Sequence, residues 1–466
     1  MIDLDKVKHQ LIRLDRVSGW FLRYVVTEAI TVIRLPRIYS IEAGRLISSS
    51  NPAPREVIIS PGESLYLTVY SRFDADGSEW LGDATSQVLS DEETAIRKVA
   101  AELVEAARSE RNKPFPLPAP DQSGVAHPAL ADPELAGLEW NELLSRAQEF
   151  NEQVIAAASR HDQITVSNLE LFIRRHKCCF ESSTGISVTL PMTRIDVEVC
   201  FLARPDEKRT GELTARLSAR RLSDIEVDRV VDEYAVAARK VAMARAPQSW
   251  SGPVVLRGEA MANAFEVEHT PLAFHSSARM VYEKSSRYAP GRLVTGDEPV
   301  KGELLNLVSD PLVPFGLRSA VVSDVDGTPC RRVALVTDGC FDRLVGSQRY
   351  FHYLGLLEQG VEPPGTIGNT VIPPGTRTAD ELCAGDCLVV HAFSSWEVDS
   401  TSGDFACEVR LGEVHNSSGV TPFKGGLLVG NWFAALADVH YSRELQQHNG
   451  FHGPLAARFG RLQLAT

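Results

Sequence analysis

The first half of the chain switches repeatedly between a two-residue and a 3.6-residue hydrophobic period. Leu65-Tyr66-Leu67-Thr68-Val69-Tyr70 is rich in strand formers and runs into Asp74-Ala75-Asp76-Gly77, which predicts a strand and a tight reversal. Residues 164–173 read as another strand. Arg194-Ile195-Asp196-Val197-Glu198-Val199-Cys200-Phe201 alternates polar and apolar positions, the signature of a half-buried strand. Between these runs, Ile96, Val99, Ala100, Leu103 and Ala107 share one helical face, behind Ser90-Asp91-Glu92-Glu93 read as a capping box. A second helix is expected from Pro133 to Ser159, carrying Leu135, Leu138, Leu143, Phe150 and Ile155. A third opens at the capping box Ser223-Asp224-Ile225-Glu226, carries Val230, Tyr234, Ala237, Ala238 and Val241, and stops before Pro247. Pro114, Pro116, Pro118 and Pro120 alternate with other residues in a stiff connector after the first helix.

Past residue 246 the pattern changes. Glycine and proline become frequent, helical periodicity fades, and short strands take over. Pro253-Val254-Val255-Leu256, the run 387–393 and the run 405–411 are the clearest, separated by Asp326-Gly327, Pro374-Gly375 and Ser402-Gly403-Asp404. The expected architecture is α+β: an N-terminal mixed α/β domain over residues 1–245 and a largely antiparallel, barrel-like β domain over 246–466.

Composition narrows the function. With 466 residues, more than one core is expected. The net charge of -13, from 61 acidic and 48 basic residues, disfavours binding to a phosphate backbone, so no nucleic-acid partner is expected. No apolar run is long enough to span a bilayer, and the acidic start lacks a signal-peptide core, which makes a membrane partner unexpected and a cytoplasmic location the expectation. Eight cysteines then read as free thiols. Standard motifs are sparse. There is no nucleotide-binding glycine loop, and Cys383 and Cys387 lack a second close pair that would complete a zinc site. Asp324-Val325-Asp326-Gly327 begins like a calcium loop but continues into Thr328-Pro329-Cys330, so it reads as a turn.

One ordered series carries more. Gly368-Asn369, Ile372-Pro373-Pro374-Gly375-Thr376, Glu381-Leu382, Gly403-Asp404-Phe405, Gly412, Asn416, Pro422, Gly425 and Gly430-Asn431 follow one another in the second half. The acidic turn at 324–329 and Asp338-Gly339 precede them, with Glu42-x-x-Arg45 and Ser182-Ser183-Thr184-Gly185 further upstream. The series resembles the TldD/PmbA family. That resemblance implies two kinds of subunit of similar fold. The TldD type has a His-Glu-x-x-x-His helix whose two histidines bind zinc with a late cysteine, while the glutamate activates water. A three-ligand site with an open position suits hydrolysis, because the metal acidifies bound water and polarises a carbonyl. The TldE (PmbA) type lacks the motif and pairs with TldD in a heterodimer that acts on extended peptides.

The resemblance places this chain with the TldE type. After Pro253-Val254-Val255-Leu256, Gly258 stands at the first histidine position and Asn263 at the second; only the glutamate, Glu259, remains, and it also reads as an ordinary first-turn helix carboxylate. His452 stands at the late cysteine. Glycine offers no ligand and an asparagine amide is a poor zinc donor, so the degenerate positions Gly258, Asn263 and His452 imply no cofactor on this chain and zinc on a TldD-type partner. A competing site would gather His440, His448 and His452, with His269 or His275, and the spacing of 448 and 452 would align them on a helix. Trp396, Trp432 and Phe433 are candidates for a partner interface, or for β-domain core. Three functions stay open: a non-catalytic partner subunit with an extended peptide or small amide as substrate; a repurposed hydrolase subunit tailoring a peptide-like or S-conjugated metabolite in antibiotic biosynthesis; and a homodimeric peptide-binding module.

Overall fold

Strand formers at alternate positions build one antiparallel sheet from the first half, with short reversals joining its second strand to its third, its fourth to its fifth and its fifth to its sixth. A computed structural model describes residues 2–34, 39–42, 45–48, 55–121 and 127–466. The sheet contains β1 (Gly19–Arg34), β2 (Arg55–Ala75), β3 (Ser78–Val88), β4 (Ile164–Ser182), β5 (Ser187–Ala203) and β6 (Gly211–Ala219), in the order β3-β2-β1-β4-β5-β6. The reversal between β2 and β3 is a two-residue hairpin in which Asp76 and Gly77 both take positive φ, the conformation that matches the twist of the flanking strands. The Glu42-x-x-Arg45 motif spans residues 43–44, which lie outside the described residues.

Helices seal this sheet. α1 (Leu4–Ile12) and α2 (Glu93–Ala107) bury Leu11, Ile96 and Leu103 against Leu67 and Val69. α3 (Trp140–Ser159) and α4 (Val227–Met243) bury Phe150, Val154, Val231 and Ala238 against Leu171, Val199 and Leu213. Each buried Leu or Phe contributes about 2 kcal/mol. Two helix starts differ from expectation. α2 begins at Glu93 and α4 at Val227, and neither N-cap side chain accepts from a backbone N–H of the first turn; the Ser90 hydroxyl instead accepts from the Glu92 N–H. The helix expected over 133–159 is broken at Gly137, and the capping box forms between Glu139 and Glu142.

The second half closes a barrel. Its strands are β7 (Trp250–Arg257), β8 (Leu307–Asp310), β9 (Val333–Thr337), β10 (Cys340–Phe341), β11 (Asn369–Val371), β12 (Cys387–Phe393), β13 (Asp404–Asn416), β14 (Gly419–Phe423), β15 (Leu427–Asn431), β16 (Leu445–His448), β17 (Phe451–Pro454) and β18 (Ala456–Ala465). β12, β7, β18, β15 and β13 pair in that order, and β13 returns to β12, so five strands close. Only the β7–β12 seam is parallel. Leu256, Val390, Val409, Leu428 and Phe459 fill the core. β10-β9-β8-β11-β17-β16 form a second sheet beside it. The α+β class with a barrel-like second half is therefore the observed one. Trp432 and Phe433, candidates for a partner surface, are 3% and 2% exposed and belong to this core, where the Trp432 indole donates to the Ala264 carbonyl.

Polar side chains tie the halves together. The buried Arg220 guanidinium donates to the carbonyls of Thr193, Gly316, Leu317 and Ser319, and burial pushes its pKa down to about 10. Arg349 pairs with Asp83 and lies over the Phe115 ring, while the Gln348 amide donates to the Pro116 and Leu117 carbonyls. The proline connector is thus held by the second half. Asp326 accepts from the Thr328 N–H and hydroxyl, closing the acidic turn on itself.

Candidate functional site

The segment after β7 is shaped by one glycine. Gly258 has φ 63° and ψ -126°, a conformation open to glycine and strained for any residue with a Cβ. Its N–H donates to the Leu455 carbonyl at 2.8 Å and its carbonyl accepts from the Gln446 amide at 2.9 Å. The chain then enters α5 (Glu259–Phe265), whose Ala260, Met261, Ala264 and Phe265 are buried in the barrel core. Glu259 and Asn263, four apart, share the remaining face. The Tyr234 hydroxyl of α4 donates to Glu259 at 3.0 Å. Burial and then the neighbouring Glu259 carboxylate push the Tyr234 phenol well above its usual range, so it stays a donor.

The far end of α5 is braced by the glycine-asparagine motif. Glu266 is buried and takes the Arg318 guanidinium, which also pairs with Glu268. The Arg318 N–H donates to Asn369 at 3.0 Å, and the Thr370 hydroxyl accepts from the Val267 N–H at 2.8 Å. Asn369 in turn donates to the Asp310 carbonyl and the Ser319 hydroxyl. A Cβ on Gly368 would meet the Pro311 nitrogen at 2.2 Å, so the backbones pack where only glycine fits. These residues position the segment.

Between the halves lies a cleft of about 1040 Å³. β6 and α4 form one wall; the barrel mouth and β16 form the other. Leu217, Arg229, Lys240, Glu259, His391 and His448 line it. Behind the barrel wall, Glu413 is 7% exposed and receives Lys240 at 2.8 Å, His391 Nε2 at 2.9 Å and His415 Nε2 at 3.5 Å. Burial alone would raise the Glu413 carboxyl, but hydrogen bonds from His391 and Lys240 outweigh it and hold the group far below the usual carboxylate range. The β12–β13 ladder skips His391, a bulge that turns its ring toward Glu413. This cluster was not anticipated from sequence. The alternation of 411–415 puts Glu413 and His415 on one face, but nothing local signals the bulge or the approach of Lys240.

The expected histidines scatter. The run carrying His448 and His452 is an antiparallel hairpin, not a helix: Gln447 pairs with His452 and His448 with Phe451. Neighbouring positions on a strand alternate, so His448 and His452 project to opposite faces. Burial lowers the pKa of both rings. His440 sits on a further short strand, Val439–Tyr441, opposite Arg458, with Glu303 4.0 Å away. Both His275 ring nitrogens are engaged: Nε2–H donates to the Thr401 carbonyl at 2.9 Å and Nδ1 accepts the Arg287 N–H at 3.1 Å. His269 is exposed, and its carbonyl accepts from the Trp396 indole. Among the described residues, no three histidine, cysteine, aspartate or glutamate side chains are grouped as metal ligands. No helix among them is long and apolar enough to cross a membrane.

Comparison with known proteins agrees with this geometry at the level of fold. Residues 249–465 match the PmbA/TldA metallopeptidase C-terminal domain. No curated protein matches the chain. Among solved structures, it is similar to a candidate modulator of DNA gyrase from Thermotoga maritima, at 15% identity and TM-score 0.76, over 99% of this chain and 100% of that one. A second candidate gyrase modulator, from Bacteroides thetaiotaomicron, matches at 12% identity and TM-score 0.76, over 99% and 97% of the two chains. TldE from Thermococcus kodakarensis matches at 15% identity and TM-score 0.72, over 99% of each.

Proposed function

The chain belongs to the TldD/PmbA family, and from that premise we propose that it is the TldE-like, non-catalytic subunit of a heterodimeric TldD/TldE-type zinc metallopeptidase that hydrolyses peptide or amide bonds. The observation that carries this reading is the backbone at Gly258. Gly258, which the resemblance sets at the first histidine position, has no side chain and holds a conformation that strains any other residue.

The rest of the local chemistry points the same way. At the second histidine position Asn263 offers an amide, a weak zinc donor beside imidazole. The His440, His448 and His452 set is spread over two strand systems and two faces of one hairpin. His275 has no nitrogen lone pair to spare. These residues do not fit a family-type zinc ion. In this reading zinc belongs to the TldD-type partner. This subunit supplies shape: a closed cavity beside the partner's site, admitting extended peptides or small amides.

Elemental analysis tests the assignment. The purified chain is expected to hold no stoichiometric zinc, and its complex with a TldD-type partner about one per heterodimer. Stoichiometric zinc on the chain alone would overturn the proposal.

A further inference from the structure

Five carboxylates line the cleft, and four of them have a basic partner. Asp224 takes Arg221, Glu226 and Glu233 share Arg229, and Asp232 takes His161. The basic side chains of the cleft are engaged as well, Lys240 by Glu413 and Arg257 by Asp380. Glu259 differs. Among the described residues it has no basic partner, and its hydrogen bond comes from the neutral Tyr234 hydroxyl. A half-buried carboxylate without a counter-charge carries a desolvation cost that nothing on the chain offsets. His448 borders the same space. Gln446 and His448 lie two apart on β16 and so share one face. The Gln446 amide donates to the Gly258 carbonyl at 2.9 Å, which turns that face toward the start of α5. Among the described residues the His448 ring has no hydrogen-bond or ion-pair partner. Carboxylate and imidazole thus line one cleft without pairing.

We propose that Glu259 and His448 bind the α-ammonium of a small amino-acid amide or short peptide, with the Tyr234 hydroxyl fixing the carboxylate. This rests on the assignment of the chain as the subunit without zinc, and it names the end of the ligand that this side of the cavity holds. An α-ammonium offers three N–H donors. Glu259 accepts one in a charge-assisted hydrogen bond, and a neutral His448 ring accepts a second. Burial, ahead of the Glu259 and Glu266 charges that oppose it, holds the His448 pKa below its ordinary value, and Arg229 acts in the same direction as burial. The ring therefore offers a lone pair near neutral pH. Glu266 does not compete for the amine, because Arg318 already engages it. Val236 and Leu445, 46% and 57% exposed, line the same cleft and give the adjoining side chain of the ligand an apolar surface. One carboxylate and one imidazole are too few ligands for a zinc site, but they match an amine. An internal segment of a long chain has no such group and would leave Glu259 uncompensated.

The test titrates the whole chain, carrying isotope-labelled histidine, with leucinamide and with 4-methylpentanamide, which lacks only the amine. His448→Asn identifies the ring signal. Leucinamide is expected to move that signal saturably, and the neutral analogue to bind about tenfold more weakly or worse. Glu259→Gln keeps an acceptor for Tyr234 and should weaken leucinamide by about tenfold or more, while Glu233→Gln, at a carboxylate already held by Arg229, should change affinity less than about twofold. A metal chelator should change nothing. Equal binding of the neutral analogue, an unaffected E259Q variant, or no saturable shift would overturn the proposal. The neutral analogue is compared on the wild-type chain, so that result does not depend on a variant folding. Loss of leucinamide binding in chelator would also overturn it, because the amine would then be held by a metal. Zinc content decides the subunit assignment by itself, so the two readings fail separately.

Discussion

Glu259 lines the cleft and Glu413 lies just behind its wall, yet the fold treats the two carboxylates in opposite ways. Glu259 is half-buried at the start of a seven-residue helix, and among the described residues its hydrogen-bond partner is neutral, the Tyr234 hydroxyl. Glu413 is buried and takes Lys240, His391 and His415 from three directions. A carboxylate that nothing cationic holds can be exchanged cheaply. One that neutralises Lys240 and orients two imidazoles cannot. The difference separates a carboxylate that lines the cleft from one that joins α4 to the barrel.

Replacing Glu413 should therefore have the largest effect. Glu413→Ala removes the shared acceptor and leaves Lys240 beside two rings. Breaking a buried ion pair costs about 3–5 kcal/mol, and the partial exposure of Lys240 puts this case near the low end, about 3 kcal/mol. Chemical denaturation should show a lower midpoint at unchanged slope. A loss below about 1 kcal/mol would mean that Glu413 does not join the halves, and the contrast with Glu259 would collapse.

A second test restores the family pattern instead of removing a contact. In a Gly258→His, Asn263→His double variant, a histidine at 258 has open space for its Cβ but inherits φ 63°. Holding that conformation costs about 1–3 kcal/mol, and the hydrogen bonds to Leu455 and Gln446 resist a change of backbone. The variant is expected to lose about 2 kcal/mol of stability and to bind no stoichiometric zinc by elemental analysis. Tight zinc binding by the double variant would mean that the sequence change alone, not the backbone, separates this chain from a metal-binding relative.

What could be read in the sequence follows the reach of each signal. The strands came from two-residue alternation, and the helix cores at 96–107 and 230–241 from 3.6-residue spacing, because both patterns are local. The glycine-rich series of the second half was legible as a resemblance, and the structure gives its physical content: Gly368 fits a backbone contact and Asn369 ties three segments together. The capping boxes at 90–93 and 223–226 failed because the serines form turns just ahead of their helices. The histidine pair at 448 and 452 failed because Asn449 and Gly450 make a hairpin, and a change from helix to strand moves every second side chain to the other face. The Glu413 cluster was invisible because Lys240, His391 and Glu413 are far apart in sequence and meet only when the barrel packs on α4.

The smallest effect is expected at Glu259, and it is the most informative about chemistry. Glu259→Gln keeps an oxygen to accept the Tyr234 hydroxyl and loses only charge at a helix start, worth about 0.3–1 kcal/mol. Stability should change by less than about 1 kcal/mol. Hydrolysis by the complex with a TldD-type partner separates the two roles the carboxylate could have. A general base contributes about 100- to 10,000-fold to the rate, so a variant that keeps kcat within twofold excludes that role for Glu259 and leaves it as the acceptor for Tyr234. A hundredfold fall in kcat at unchanged zinc content and unchanged KM would place Glu259 in the reaction, and the contrast between the two carboxylates would then be one between catalysis at the barrel mouth and architecture behind the barrel wall.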